Sequence, residues 1–172
     1  MKKIHLICNS HLDPVWMWDW EEGFGGAIST FHQAELFCQE FDFIFNHNEA
    51  ILYEFIEEHD PELFHRIEQQ VKAGKWHIMG GWYLQPDCNM PSGVAFVRQI
   101  GLGRKYFQEK FGVIAKTGYN VDSFGHNAMT PQLLKKAGIS HYVWMRPSPW
   151  ENNQIPNGPM IWQSPDGSQV LA

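Results

Sequence analysis

Short apolar runs alternate with longer amphipathic segments along the whole chain, and this alternation constrains the fold more than any other feature. The predicted strands are residues 4–9, 41–46, 76–79, 117–121 and 139–145. The predicted helices are residues 27–40, 49–59, 60–74, 91–111 and 130–138. Strands that alternate with helices form a parallel sheet, either open or closed into a barrel. We therefore expect an α/β fold whose chemistry lies at the carboxyl ends of the strands.

Capping residues mark several of these helix ends. Asp60 stands directly before Pro61, and this pairing of an N-cap with a proline at the first helical position favours a helix start. Gly112 and Gly138 follow two other predicted helices, where glycine accepts the left-handed backbone that ends a helix.

Length, charge and cysteine content narrow the class of protein. The 172 residues fit a single domain, so we assign residues 1–172 to one domain. The net charge of −6 includes no cluster of Lys and Arg, so nucleic-acid binding lacks electrostatic support. No apolar run is long enough to cross a bilayer. Three cysteines without metal-type spacing indicate a reduced, cytoplasmic protein, and the eight tryptophans suit either core packing or stacking against sugars.

A histidine and an aspartate follow the first predicted strand. Residues i and i+2 of an extended chain point to the same side, so His11 and Asp13 present an imidazole and a carboxylate together. Zinc accepts this combination of nitrogen and oxygen ligands. The alternative interpretation is a capping aspartate beside a loop histidine, because so short a motif is weak by itself. The pair is a candidate for part of a metal site.

Asp122 stands where the fourth predicted strand passes into a loop. A carboxylate there costs folding free energy unless a partner pairs with it, and a metal held by His11 and Asp13 would be such a partner. The alternative is an aspartate that caps a turn. Three roles stay open for His126 in the same loop: a further ligand, a hydrogen-bond partner behind the ligands, or an ordinary loop histidine.

Four sequence blocks, in a fixed order over nearly the whole chain, carry a resemblance to a known family. They are His11-x-Asp13-Pro14-x-Trp16, then Gly80-Gly81-Trp82 with Asp87 beyond it, then Asp122-Ser123-Phe124-Gly125-His126, then Gly138-Ile139 leading to Arg146. Together they resemble glycoside hydrolase family 38, the retaining α-mannosidases. Four ordered blocks are far more specific than either short motif alone.

The resemblance implies a role for each matched residue. His11, Asp13 and Asp122 match three zinc ligands of the family. Asp122 also matches the catalytic nucleophile. Trp16 matches an aromatic residue that stacks on the bound sugar, and Arg146 matches a positively charged residue that supports the nucleophile.

The implied function is hydrolysis of terminal α-linked mannose from glycans or oligosaccharides, with one Zn²⁺ per active site. In a retaining glycosidase one carboxylate attacks the anomeric carbon, while a second acts first as acid and then as base. Asp122 would be the first of these carboxylates. The implied partner is an α-mannoside, with neither nucleic acid nor a membrane involved.

The resemblance also predicts parts that these 172 residues do not contain. Family members are much longer, and their fourth zinc ligand (a histidine) and acid/base carboxylate lie beyond the matched segment. We therefore expect a truncated N-terminal portion, an incomplete parallel β/α barrel of about five strand–helix units of a seven-stranded type. Alone it would be almost inactive, and it would self-associate through exposed surface. Leu12 and Val15 depart from residues common in the family, and Asp87 lies near the active-site mouth without a firm role.

Two other functions stay open. A metal-dependent carbohydrate deacetylase on a related β/α barrel also uses His and Asp ligands, with a metal-bound water as nucleophile. Such sites usually place two histidines in an H-x-x-x-H pair, which this sequence lacks. A non-catalytic sugar-binding module would use the aromatic residues alone and would need no metal.

Overall fold

The computed structural model describes residues 3–172, and these residues form five helices and six strands. The helices are α1 (Trp20–Glu40), α2 (Ala50–His59), α3 (Pro61–Lys72), α4 (Gly93–Phe111) and α5 (Thr130–Lys136). The strands are β1 (Phe45–His47), β2 (Trp76–Ile78), β3 (Thr117–Asn120), β4 (His141–Trp144), β5 (Ile161–Gln163) and β6 (Gln169–Leu171). The chain divides into two compact units, one of residues up to 47 together with 51–78, the other of residues 48–50 and 79–172. The α/β class is confirmed.

The first unit packs helices on a short parallel strand pair. β1 and β2 pair in parallel, with Phe45 opposite Trp76. The core around them is aromatic, and Trp76 donates from Nε1 to the Tyr53 hydroxyl at 2.8 Å, so its one polar atom is satisfied where it is buried. Helix α3 begins as the capping residues predicted, because the Asp60 carboxylate accepts a hydrogen bond from Leu63 N at 2.9 Å.

The second unit holds a four-stranded sheet in the order β3-β4-β6-β5. β3, β4 and β6 are parallel, and β5 pairs antiparallel with β6 at the edge. Its core consists of buried side chains from α4, α5, the sheet and the connecting loops: Trp82, Cys88, Phe96, Ile100, Leu134, Ile139, Tyr142 and Val170. Helix α4 ends at Gly112 in the left-handed conformation (φ 67°), as glycine at that position predicted.

The predicted first strand over residues 4–9 is wrong. Only Cys8 forms a bridge, a parallel one to Phe45. The apolar side chains before it stay in solvent, with Ile4 83%, Leu6 84% and Ile7 68% exposed. An apolar run becomes a strand only when a neighbour pairs with its backbone and covers one face, and the described residues of this unit supply neither before Cys8.

Two further elements differ from the sequence-based prediction. Helix α1 begins at Trp20 rather than at residue 27, because Asp19 precedes it in extended conformation and Glu21 and Glu22 favour its first turn. The β5–β6 hairpin was not predicted. Its turn contains Asp166 and Gly167 (φ +85°), and the short strands on either side carry little apolar alternation.

No helix among residues 3–172 is both long enough and apolar enough to cross a membrane.

A glycine in helix α4 gives a sharp test of the second unit. A Cβ on Gly103 would lie 2.3 Å from the Trp82 carbonyl carbon and 2.4 Å from the Gly81 oxygen, both backbone atoms. We expect Gly103→Ala to lower the free energy of unfolding by about 1–3 kcal/mol, although alanine favours helices. The control is Gly101→Ala in the same helix, where nothing lies within 4 Å. It should be neutral or slightly stabilising in urea unfolding, and equal effects of the two substitutions would contradict the packing described here.

Candidate active site

His11 and Asp13 lie side by side in the first unit. His11 Nε2 is 3.2 Å from Asp13 Oδ1, and the two side chains are 24% and 40% exposed. They line an open pocket of about 430 Å³, together with Leu12, Trp18, Glu22, Gly23 and Gly26. The prediction that i and i+2 present their side chains together therefore agrees with the structure of this segment.

Close backbone contact with helix α1 holds this segment in place. A Cβ on Gly23 would lie 2.1 Å from the Pro14 oxygen and 3.0 Å from the Asp13 oxygen, so the helix touches the segment through its backbone. Trp18 donates from Nε1 to the Asp13 carbonyl at 3.0 Å. Trp16 packs edge-on against Trp18 at 5.4 Å between ring centroids and stays 67% exposed, so it is not a core residue.

The His11–Asp13 pair has the donor chemistry that zinc accepts. Tetrahedral ligands at roughly 2.0–2.1 Å from one zinc ion lie about 3.3 Å from each other. The observed 3.2 Å between nitrogen and oxygen therefore fits two ligands of a single ion without rearrangement. Within either unit, the described residues contain no group of three or more His, Cys, Asp or Glu arranged to hold a metal. The set of His11, Asp13 and Asp122 stays a prediction.

Asp122 and Arg146 meet in the second unit at the carboxyl ends of two adjacent strands. Asn120 is opposite Trp144 in the parallel β3–β4 register, so Asp122 and Arg146 each follow two residues later. Arg146 Nε is 2.7 Å from Asp122 Oδ1, with the side chains 40% and 30% exposed. The Arg146 guanidinium carbon also lies 4.9 Å from the Phe124 ring centroid, so the cation has both a carboxylate and an aromatic face beside it.

Buried polar contacts fix the loop that carries Asp122. The Asn120 side chain donates to the Pro86 carbonyl at 3.0 Å and to Ser123 Oγ at 3.0 Å. Ser123 in turn donates to the Pro86 carbonyl at 3.1 Å. Just before Asp122, Val121 N donates to Gln85 Oε1 at 3.0 Å. The carboxylate therefore projects from a loop whose two flanks are hydrogen-bonded to the segment around Pro86.

His126 makes hydrogen bonds to Arg146 and Tyr142 rather than remaining a solvated loop residue. Its Nε2 is 2.6 Å from the Arg146 carbonyl oxygen, and its Nδ1 is 3.1 Å from the Tyr142 hydroxyl. Burial lowers the pKa of His126 below its usual value, an effect that the hydrogen bond to the Arg146 carbonyl opposes. Of the three roles left open by the sequence, this geometry matches a hydrogen-bond partner of a residue that itself contacts Asp122.

The family model of the glycosyl hydrolases family 38 N-terminal domain matches residues 1–172. The chain belongs to glycoside hydrolase family 38. Alpha-mannosidase G of Dictyostelium discoideum is 31% identical over 171 residues, which are 98% of this chain and 16% of that protein. Alpha-mannosidase 2C1 of Mus musculus is 31% identical over 169 residues, with the same two shares. A putative mannosylglycerate hydrolase of Halalkalibacterium halodurans is 32% identical over 184 residues, covering 99% of this chain and 20% of that protein.

Solved structures show the same fold. An alpha-mannosidase from Enterococcus faecalis V583 superposes with a TM-score of 0.84 at 23% identity, over 96% of this chain and 19% of that one. The 4-alpha-glucanotransferase from Thermococcus litoralis gives 0.74 at 18% identity, over 96% of this chain and 26% of that one. At these identities the likeness concerns the fold alone. This family 38 chain spans about a sixth to a quarter of the length of the relatives and structures it matches.

Histidines in or directly after the predicted strands differ in burial. His5, His77 and His141 are all exposed. The buried one is His47, at the end of β1, with its ring 4.8 Å from that of Phe31. A three-residue strand shows too few alternations for the sequence to reveal which side faces the core.

Asp87 caps a turn, and Tyr142 contacts His126 through its hydroxyl. Asp87 accepts hydrogen bonds from Asn89 N and Met90 N, both at 2.8 Å, which is the geometry of a turn. Tyr142 was treated only as part of a strand, although its hydroxyl contacts His126. Tyr142 lies two residues before Trp144 in β4, so the two side chains share one face of the strand. This spacing was the sequence signal that could have placed Tyr142 beside Trp144.

The lowered pKa of His126 predicts a pH dependence of stability. Unfolded histidine takes up a proton near pH 6.5, whereas the folded state resists protonation of His126, so stability should fall as the pH drops from about 7 towards 5. His126→Gln should remove this share of the loss. The measurement is the melting temperature at both pH values. The control is His65→Gln, which alters a side chain that is 66% exposed, and its melting temperature should fall between pH 7 and pH 5 as much as that of the unsubstituted chain. An equal fall in the unsubstituted chain, His126→Gln and His65→Gln would refute the prediction.

Proposed function

We propose that this chain is the nucleophile-bearing part of a zinc-dependent, retaining α-mannosidase that acts on terminal α-linked mannose of glycans or oligosaccharides. The observation that carries the proposal is the 2.7 Å contact between Arg146 and Asp122 at the carboxyl ends of β3 and β4. Membership of family 38 over the whole chain supports it, as does the similarity to two α-mannosidases.

Asp122 is the nucleophile in this proposal. A carboxylate oxygen attacks the anomeric carbon, and the guanidinium of Arg146 lies beside Asp122 Oδ1 at 2.7 Å, where its positive charge pairs with the carboxylate. Attack forms a glycosyl ester with Asp122 while the leaving group departs, and water then cleaves the ester so that the anomeric configuration is retained. Arg146 also favours one direction of the carboxylate, because the ion pair with Nε restricts rotation of the side chain.

His11, Asp13 and Asp122 would hold the zinc ion in this proposal. A zinc ion bound there would supply a template for the sugar hydroxyls and a positive charge near the reacting centre. The contribution of His11 and Asp13 is an imidazole nitrogen and a carboxylate oxygen that already lie 3.2 Å apart. Trp16 would offer its exposed indole face to the sugar, since aromatic faces stack against apolar sugar surfaces.

The proposal extends to the fold, the self-association and the location of the chain. Residues 1–172 would be the N-terminal portion of one catalytic domain, an incomplete β/α barrel of the seven-stranded type. Exposed apolar side chains such as Trp150, which is 96% exposed, would favour self-association of the chain alone. A cytoplasmic location is consistent with three cysteines that form no disulfide.

The activity test uses the complete product of the reading frame that contains these residues. We expect it to release mannose from an aryl α-mannoside and from α-mannobiose. Mannosylglycerate is a further substrate to assay because of the similarity to a putative mannosylglycerate hydrolase. Asp122→Asn should lower kcat by about 10³-fold or more, because an amide cannot form the glycosyl ester. Asp42→Asn, which changes an exposed aspartate, is the matched control. Release of acetate from an acetylated sugar would favour a deacetylase, and binding without turnover would favour a sugar-binding module.

The metal-binding part is tested by displacing the His11–Asp13 segment without touching a ligand. Gly23→Ala places a methyl group against the Pro14 backbone, whereas Gly25→Ala in the same helix meets nothing within 4 Å. We expect Gly23→Ala to weaken zinc binding by about tenfold or more and Gly25→Ala to leave it unchanged. Competition with a chromogenic chelator, on the 172-residue chain, measures both. Identical affinities in the two variants would exclude this segment from the zinc site.

A further inference from the structure

A line of polar contacts, made of hydrogen bonds and a final ion pair, runs from the core of the second unit to Asp122. Cys88 Sγ lies 3.9 Å from the Tyr142 hydroxyl, which lies 3.1 Å from His126 Nδ1. His126 Nε2 lies 2.6 Å from the carbonyl oxygen of Arg146, whose side chain contacts Asp122 at 2.7 Å. Each member touches the next, and the line ends on the carboxylate that the proposed function uses as nucleophile.

The chemistry of these groups determines where the His126 proton resides. A carbonyl oxygen only accepts, so Nε2 must carry the hydrogen that is donated to Arg146. The other nitrogen of a neutral imidazole then has a lone pair, so Nδ1 accepts from the Tyr142 hydroxyl. The hydroxyl oxygen of Tyr142 keeps lone pairs towards Cys88, whose thiol is a weak donor that also lies 3.9 Å from the Pro86 carbonyl oxygen. From Tyr142 to Arg146 the hydrogen bonds have one consistent direction, and it specifies the Nε2–H tautomer.

We propose that His126 is a positioning residue: as the Nε2–H tautomer, it holds the backbone of Arg146 so that the guanidinium meets Asp122. Its effect on catalysis rests on the proposed function, but its effect on Arg146 does not. The residue after Arg146 is Pro147, which has no backbone N–H to anchor that turn. The carbonyl of Arg146 is therefore a direct point at which the unit can fix the start of the loop.

The packing around His126 suits this role. Its ring lies 5.6 Å from Tyr142, 6.0 Å from Trp144 and 5.9 Å from Trp162 between centroids, with interplanar angles of 90°, 72° and 80°. Three edge-to-face neighbours restrict rotation of the imidazole about its own bonds. If the His126 ring only filled space, its shape would matter and its N–H donor would not. A ring that positions Arg146 needs a donor at Nε2, and this difference can be tested.

The first test is spectroscopic and uses the 172-residue chain. Nitrogen-15 NMR should show His126 as the Nε2–H tautomer at pH 7.5. The matched variants are His126→Gln, whose amide nitrogen can replace Nε2 as donor, and His126→Leu, which fills space without one. Exchange of the Arg146 Nε–H with solvent should stay within about threefold in His126→Gln and rise about tenfold or more in His126→Leu. His141→Gln, which makes the same substitution at an exposed histidine, should change nothing.

Two results would overturn the proposal. One is a His126 ring protonated at Nδ1 instead of Nε2, and the other is equal Arg146 exchange in the glutamine and leucine variants. If His126→Leu does not fold, His126→Met takes its place, because its side chain also fills space without an N–H donor. Equal Arg146 exchange in His126→Met and His126→Gln would then contradict the positioning role.

The second test is kinetic and uses the complete product of the reading frame. His126→Leu should lower kcat for an aryl α-mannoside about tenfold or more with KM changed less than threefold, and His126→Gln should recover most of the loss. A loss confined to KM would assign His126 to substrate binding and contradict the positioning role. If the unsubstituted protein cleaves no mannoside, the proposed function fails, while the NMR result still decides whether His126 positions Arg146.

Discussion

The parallel, in-register pairing of β3 with β4 is the constraint on which the candidate active site depends. With Asn120 opposite Trp144, the residues two positions later on each strand emerge at the same edge of the sheet. Asp122 and Arg146 occupy those positions, and their side chains meet at 2.7 Å. A shift of one residue in either strand would turn one of the two side chains to the opposite face. The sheet register therefore specifies the ion pair.

Local patterns predicted those elements whose signals lie within a few residues. The Asp60 cap of α3 and the glycine end of α4 were predicted because both depend on short-range backbone chemistry. The strand over residues 4–9 was wrong because a strand depends on a partner that may be distant in sequence. The β5–β6 hairpin was missed for the same reason, since its strands have three residues each and almost no alternation.

The candidate residues show a similar division. The sequence placed His11 with Asp13, and it marked Asp122 and Arg146 through family resemblance, because motif residues carry their spacing with them. It did not reveal that Gly23 lets helix α1 pack against the Pro14 backbone. A glycine within a helix ordinarily indicates only a lower helix propensity. It left His126 undecided as well. Both roles are set by contacts between segments that no local pattern records.

The Asp122–Arg146 ion pair contributes too little free energy to folding for stability to explain its presence. Both side chains are about a third exposed, and ion pairs at such exposure contribute only about 0–1 kcal/mol to folding. Stability alone therefore gives little reason to place a carboxylate at this strand end. Around it the unit assembles an aromatic face, a buried asparagine and a histidine bound to the arginine backbone. That arrangement restricts the direction of one carboxylate, and a fixed direction is a requirement for a nucleophile in glycoside cleavage.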